Sequence, residues 1–130
     1  MYGVKDLDFG SFGDRAVIDA DYVHKIPEGM DLRSAGPFQC GGSTVYGAIV
    51  HAGVKANDRV GVLGLGGLGH LAVQYLAKMG CEVVVFSGTN SKREQAMQLG
   101  AHEFVASKEN PKFEGVKPLR SLLVPTRVLP

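Results

Sequence analysis

At 130 residues the chain has room for one domain and a buried core. Its net charge is +1, with lysines and arginines scattered, so neither nucleic acid nor a membrane surface is an expected partner. No apolar run is long enough to span a bilayer, and no repeat or low-complexity tract stands out.

Two cysteines, Cys40 and Cys81, permit one disulfide by count, but nothing favours it. Met1 to Gly10 carries Lys5, Asp6 and Asp8 and does not read as a secretory signal. A soluble, reducing, cytoplasmic setting is the expectation.

In chain order, Gly10 to Gly13 reads as a turn. Arg15 to Ile18 and Tyr22 to Ile26 read as two short strands, turning at Asp19 to Asp21 and stopped by Pro27-Glu28-Gly29. Asp31 is placed to cap a short helix through Ala35, which Gly36-Pro37 should break or bend. From Ser43, Val45, Ala48, Ile49 and Ala52 repeat with helical spacing, and Gly53 suits the position just past the helix end.

Arg59 to His70 (R-V-G-V-L-G-L-G-G-L-G-H) organises the rest. Val60, Val62 and Leu63 form a short apolar run of strand type. Gly64, Gly66 and Gly69 follow with G-x-G-x-x-G spacing, with Leu65, Gly67 and Leu68 between them. Leu68, Leu71, Ala72, Tyr75, Leu76 and Met79 then repeat at helical spacing. A glycine-rich turn can match such a motif by chance. Here a second strand, Glu82 to Phe86, follows at the distance a dinucleotide-binding unit needs. Gly64 would permit the tight turn, Gly66 the approach of a pyrophosphate to the backbone, and Gly69 close packing of helix on strand. The helix N-terminus would offer free N–H groups to the phosphates.

Gly80 ends that helix, and Ser87 to Asn90 forms a loop after the second strand. Ser91-Lys92-Arg93-Glu94 has the capping-box pattern for a helix from Lys92 to Leu99, and His102 to Ala106 reads as a third strand. The fold class is therefore α/β: β-α-β-α-β, half of a doubly wound parallel sheet, a partial Rossmann fold. Four of the six prolines fall in the last twenty residues, and no element is assigned there. Half a sheet would leave the organising strand at an edge, which a homodimer or another partner could cover.

An NAD-selecting site places an acid at the end of the second strand. This chain has Ser87, then Gly88, Thr89, Asn90, Ser91, Lys92 and Arg93. Hydroxyls and two cations suit a 2′-phosphate, so NADP is expected over NAD. The plainer alternative is a solvated, capped helical turn. Cys40 has no second cysteine or histidine within four residues, and a lone cysteine is most often a small packing residue. His70 reads as a capping or packing residue near the motif; His51 lies on a helix that could face the cofactor; His24 and His102 read as structural.

D-A-D-Y-V-H-K-I-P-E-G (19–29), P-F-Q-C-G-G-S-T-V-Y (37–46), G-L-G-G-L-G-H (64–70) and F-S-G-T-N-S-K-R-E-Q-A (86–96) together resemble zinc-dependent medium-chain alcohol dehydrogenases of the cinnamyl-alcohol-dehydrogenase-like branch. The zinc-free quinone reductases are set apart by Cys40 in its P-F-Q-C-G-G setting. The resemblance implies that Cys40 is one protein ligand of the catalytic zinc and that Thr44 contacts the nicotinamide end. It implies a pyrophosphate loop at Gly64 to Gly69 and a 2′-phosphate loop at Ser87 to Lys92, with NADP as cofactor and alcohols or aldehydes as substrates.

It also implies domains: 1–30 a remnant of an N-terminal catalytic (GroES-like) domain carrying the strands above, 31–110 a partial NADP-binding Rossmann domain, and 111–130 an irregular tail. A catalytic zinc needs three protein ligands, and this sequence offers one. The family's G-H-E motif and four-cysteine site are not in it. A truncated enzyme chain, inactive by itself, is the expectation; the alternative is a non-catalytic dinucleotide-binding remnant or interaction module.

Overall fold

The computed structural model describes residues 14–124, in two units that divide after Leu32. In the second unit, β1 (Arg59–Leu63), β2 (Glu82–Ser87), β3 (Glu103–Ala106) and β4 (Ser121–Leu123) form one parallel sheet in the order β3-β2-β1-β4. Four helices accompany it: α1 (Leu32–Pro37), α2 (Ser43–His51), α3 (Gly67–Lys78) and α4 (Arg93–Gln98).

The strands are apolar on both faces, as a covered parallel sheet requires. On one face Val60, Val62, Val83, Val85, Phe104 and Ala106 meet Val45 and Ile49 of α2, Leu71, Ala72, Val73 and Leu76 of α3, and Ala96 of α4. On the other face Val84, Phe86 and Val105 are covered by Val116 and Leu119 rather than by a helix. Gly61 belongs to this second face. A Cβ there would lie 2.7 Å from the terminal methyls of Leu119 and Leu122, so its absence lets the crossover from β3 to β4 lie flat on the strand.

The β-α-β-α-β reading holds, and β1 leads to α3, β2, α4 and β3 as the periodicities predict. Gly53, Gly80 and Gly100 follow α2, α3 and α4 with φ of +63°, +84° and +105°, the left-handed turn that ends a helix without a Cβ penalty. Arg59 fixes the opposite end of the sheet: its guanidinium pairs with Glu82 of β2 and Glu103 of β3, tying three strands together at their first residues. These two carboxylates hold the Arg59 pKa above its ordinary value, Glu103 more than Glu82 and against the opposing effect of burial.

Three expectations are corrected. The stretch from 111 is not irregular throughout: Ser121–Leu123 pairs with Val60–Val62 as β4, and Arg120 N–H donates to the Arg59 carbonyl at 2.8 Å. β1 is therefore an inner strand, and one strand of the fold's other half stands beside it. Three residues between Pro118 and Pro125 are too few to show alternation in sequence.

Arg15 to Ile18 and Tyr22 to Ile26 are not strands. Both are exposed and pair in no ladder, and a 3-10 turn at Ala20–Tyr22 takes in the first residue of the second, where the Asp19 carboxylate accepts from Asp21 N–H. β-propensity produces a strand only where a neighbour supplies the hydrogen bonds.

Gly36-Pro37 does not stop the helix. α1 runs through Pro37 into a π turn at Phe38–Gly42, and α2 continues from it. Ser43 N–H reaches back to the Phe38 carbonyl, the wide-turn bond of a π segment. Widening the coil just after a proline absorbs the lost donor without ending the helix. The turn expected at Gly10 to Gly13 lies outside the described residues.

Candidate functional site

Both phosphate-type loops expected from sequence open at the C-terminal ends of the strands. The order β3-β2-β1-β4 reverses direction between β1 and β4, and in open α/β sheets such a switch point is where a ligand crevice forms. Gly64 leaves β1 at φ +88°, and its N–H donates to the Phe86 carbonyl at 2.7 Å. Leu65 turns inward and is buried in the core, anchoring the bend. Gly66 and Gly67 then lie exposed, and a Cβ built on either meets nothing within 4 Å.

α3 starts at Gly67 with no side-chain cap, so its first N–H groups face the open space beside Gly66. Leu68 is half-buried against the core, and Gly69 is buried where α3 meets the sheet. The His70 backbone N–H and its ring Nδ1 both lie within bonding distance of the Gly66 carbonyl, at 3.0 and 3.1 Å, so His70 holds the bend.

The second loop starts at Ser87, whose carbonyl accepts from Ser107 N–H at 2.7 Å. Gly88 follows, its carbonyl accepting from Lys108 N–H at 3.2 Å. The hydroxyls of Thr89 and Ser91 bond to each other at 2.9 Å. The Asn90 amide donates to the Glu109 carboxylate.

Ser91 does not cap a helix: it lies within a 3-10 turn, Asn90–Lys92, and α4 begins at Arg93 without a side-chain cap. The Lys92 ammonium donates to the Leu65 carbonyl at 2.9 Å. This bond joins the two loops across 27 residues of sequence. Arg93 stacks over the Phe104 ring, 6.0 Å from its centroid, so of the two cations read from sequence only Lys92 reaches the glycine bend. Ser107 to Asn110, which backs this loop, carried no periodic signal and was not singled out in the sequence.

Cys40 is exposed in the π turn, which corrects its reading as a packing residue; Thr44 is exposed one turn later, at the start of α2. The π turn rests on α3: a Cβ on Gly41 would lie 3.2 Å from a methyl of Leu71 and 3.6 Å from one of Leu68. The segment implied for metal and nicotinamide thus packs on the helix that leaves the glycine bend.

A catalytic zinc needs three protein ligands. Among the described residues no group of three histidine, cysteine or acidic side chains converges anywhere, at Cys40 or elsewhere. Cys81 is buried, its thiol against the Lys55 carbonyl at 3.3 Å, and burial raises its pKa, with a smaller contribution from Asp58. His102 is structural as read, its ring accepting from Val83 N–H at 3.1 Å. No described helix is long and apolar enough to cross a membrane.

Known proteins agree with this geometry. Residues 67–118 match the family model described as zinc-binding dehydrogenase. The chain is 46% identical over 99 residues to the aldehyde reductase AdhA of Synechocystis, covering 76% of this chain and 30% of that protein. A cinnamyl alcohol dehydrogenase structure from Sorghum bicolor superposes with a TM-score of 0.75 at 34% identity, over 84% of this chain and 32% of that one. The Helicobacter pylori CAD structure, complexed with NADP(H), gives 0.68 at 29% identity, over 76% and 27%. The chain thus spans about 30% of the length of the curated relatives it matches. Across the residues that match, the chain belongs to the zinc-dependent medium-chain alcohol dehydrogenase family.

Proposed function

We propose that the chain binds NADP(H) as the coenzyme segment of an oxidoreductase that interconverts alcohols and aldehydes. The observation that carries this is the open space above Gly66 and Gly67, bounded by the uncapped start of α3 and by Lys92. A pyrophosphate needs such a cradle: no Cβ in the way, N–H donors at a helix N-terminus, and a cation within reach. Ser87 stands where an NAD-selecting site has a carboxylate, so the position that would repel a 2′-phosphate most directly carries a hydroxyl. The hydroxyls of Thr89 and Ser91 and the amide of Asn90 line the same loop with polar groups. The relatives support this: one is an aldehyde reductase and another is held with NADP(H).

When bound, the nicotinamide supplies or accepts hydride. In this reading Gly66 lets the pyrophosphate reach the backbone, the N–H groups at the start of α3 neutralise it, and Lys92 and Ser91 orient the adenosine end. Thr44, on the helix behind the π turn, faces the nicotinamide end. No step is assigned to a zinc ion, since the described residues place Cys40 without further ligands.

Titration of the purified chain with NADPH and with NADH, followed by coenzyme fluorescence, tests the reading. NADPH should bind at least about tenfold more tightly, as differential binding of one phosphate allows. Equal affinity, or none, would overturn it. With NADPH, zinc and an aromatic aldehyde the chain alone should show no coenzyme oxidation; steady zinc-dependent turnover would refute that part.

A further inference from the structure

We infer that Lys108, on the turn after β3, supplies a further cation to the coenzyme's 2′-phosphate and helps select the phosphorylated form. This rests on the NADP(H) reading above. The turn Ser107 to Asn110 lies along the loop after β2 as a second wall. Ser107 N–H donates to the Ser87 carbonyl at 2.7 Å and Lys108 N–H to the Gly88 carbonyl at 3.2 Å, so the two backbones run side by side past the strand ends.

The Lys108 side chain lies over Gly88: its Cε would be 3.8 Å from a Cβ there, and the ammonium is one bond further on. The charge is therefore carried onto the start of the Ser87 to Ser91 loop, while the Lys92 ammonium is held at Leu65.

The wall is fixed. Glu109 and Asn110 N–H groups both donate to the Ala106 carbonyl, at 3.0 and 2.9 Å, and Asn110 exchanges two bonds of 2.9 Å with Glu114. Glu109, the next residue in the chain, is engaged by the Asn90 amide, and no described acidic group forms an ion pair with Lys108. Arg93, the second cation expected from the loop's sequence, is turned onto Phe104, and Lys108 takes up that role.

The test compares wild type with Lys108→Gln, Lys108→Arg and Lys112→Gln, the last an exposed charge control four residues further on. Each is titrated with NADPH, NADH, and the fragments 2′,5′-ADP and 5′-AMP. Lys108→Gln should weaken NADPH and 2′,5′-ADP about fivefold, the scale of one exposed charge on a phosphate, and leave NADH and 5′-AMP unchanged. Lys108→Arg should keep most of the affinity, and Lys112→Gln all of it. The urea midpoint should not move, since the side chain is exposed.

If wild type prefers NADPH and Lys108→Gln binds it equally well, the inference fails while the coenzyme reading stands. If Lys108→Gln weakens all four ligands alike, the residue acts through loop structure and the inference also fails. If wild type does not discriminate the coenzymes at all, both fall together.

Discussion

Gly66→Ala separates the fold from the binding it serves. Gly66 has φ −106° and ψ −158°, an extended conformation that alanine adopts, and its new methyl would meet nothing within 4 Å. Folding stability should therefore change by no more than about 0.5 kcal/mol, with a small gain from reduced freedom in the unfolded chain. The same methyl would occupy the space a pyrophosphate needs and lift it off the N–H groups of α3. Each charge-assisted hydrogen bond is worth about 1.5–3 kcal/mol, so losing two raises the NADPH Kd by at least about a hundredfold. Urea unfolding followed by circular dichroism measures the first effect and NADPH titration the second. A variant that binds NADPH like wild type would refute the approach of a phosphate to this backbone. A loss of more than about 1 kcal/mol in stability would show that the space above Gly66 is not free.

Gly100→Ala should be costly in stability: its φ is +105° and the new Cβ would lie 2.8 Å from that of Ala77, so strain and clash together come to about 2–5 kcal/mol. Gly80→Ala, with φ +84° and 3.8 Å of clearance, should lose only the strain, about 1–2 kcal/mol, and the difference in urea midpoint reads the clash. Arg59→Met should cost about 1–2 kcal/mol in the same assay, a modest figure because Glu82 and Glu103 remain partly exposed and can be solvated once released. Burial raises the Cys81 pKa, so the native state keeps this thiol protonated longer than the unfolded chain does. Its stabilising contribution is complete below the unfolded value of about 8.5 and is lost as pH rises through the native one. Between pH 8 and 10 wild type should therefore lose more stability than Cys81→Ala. An aromatic disulfide reagent should label exposed Cys40 at once and Cys81 only on unfolding.

What could be read from the sequence was whatever repeats. The short apolar runs of β1 and β2, and Leu71, Ala72 and Leu76 at helical spacing, report surfaces that must be buried, and all three strands of the glycine-motif unit followed. Gly64, Gly53 and Gly80 were legible for a different reason: a helix end or a sharp bend leaves few residue types to choose from.

β4 was hidden because three residues cannot show a period, and its partner residues in β1 are 61 positions away. The π turn was hidden because Pro37 normally argues for a stop, and only the packing of Gly41 against Leu68 and Leu71 shows why the coil goes on. At the site, the loops themselves were legible, but the orientation of their charges was not. Lys92 turning to Leu65, Arg93 to Phe104 and Asn90 to Glu109 are choices made between segments that the chain brings together only on folding.

The first strand of the sheet is treated differently at its two ends. Its leading residue is riveted by charge to the adjacent strand and to the one beyond it, and its last gives way to a bend with almost no side chains. Like a fan fastened at the handle, the layer is tied by charge at its base and left bare of side chains at its mouth. Whatever rearrangement a visiting molecule demands is thereby confined to a few residues, and the valine layer beneath need not be reordered for it.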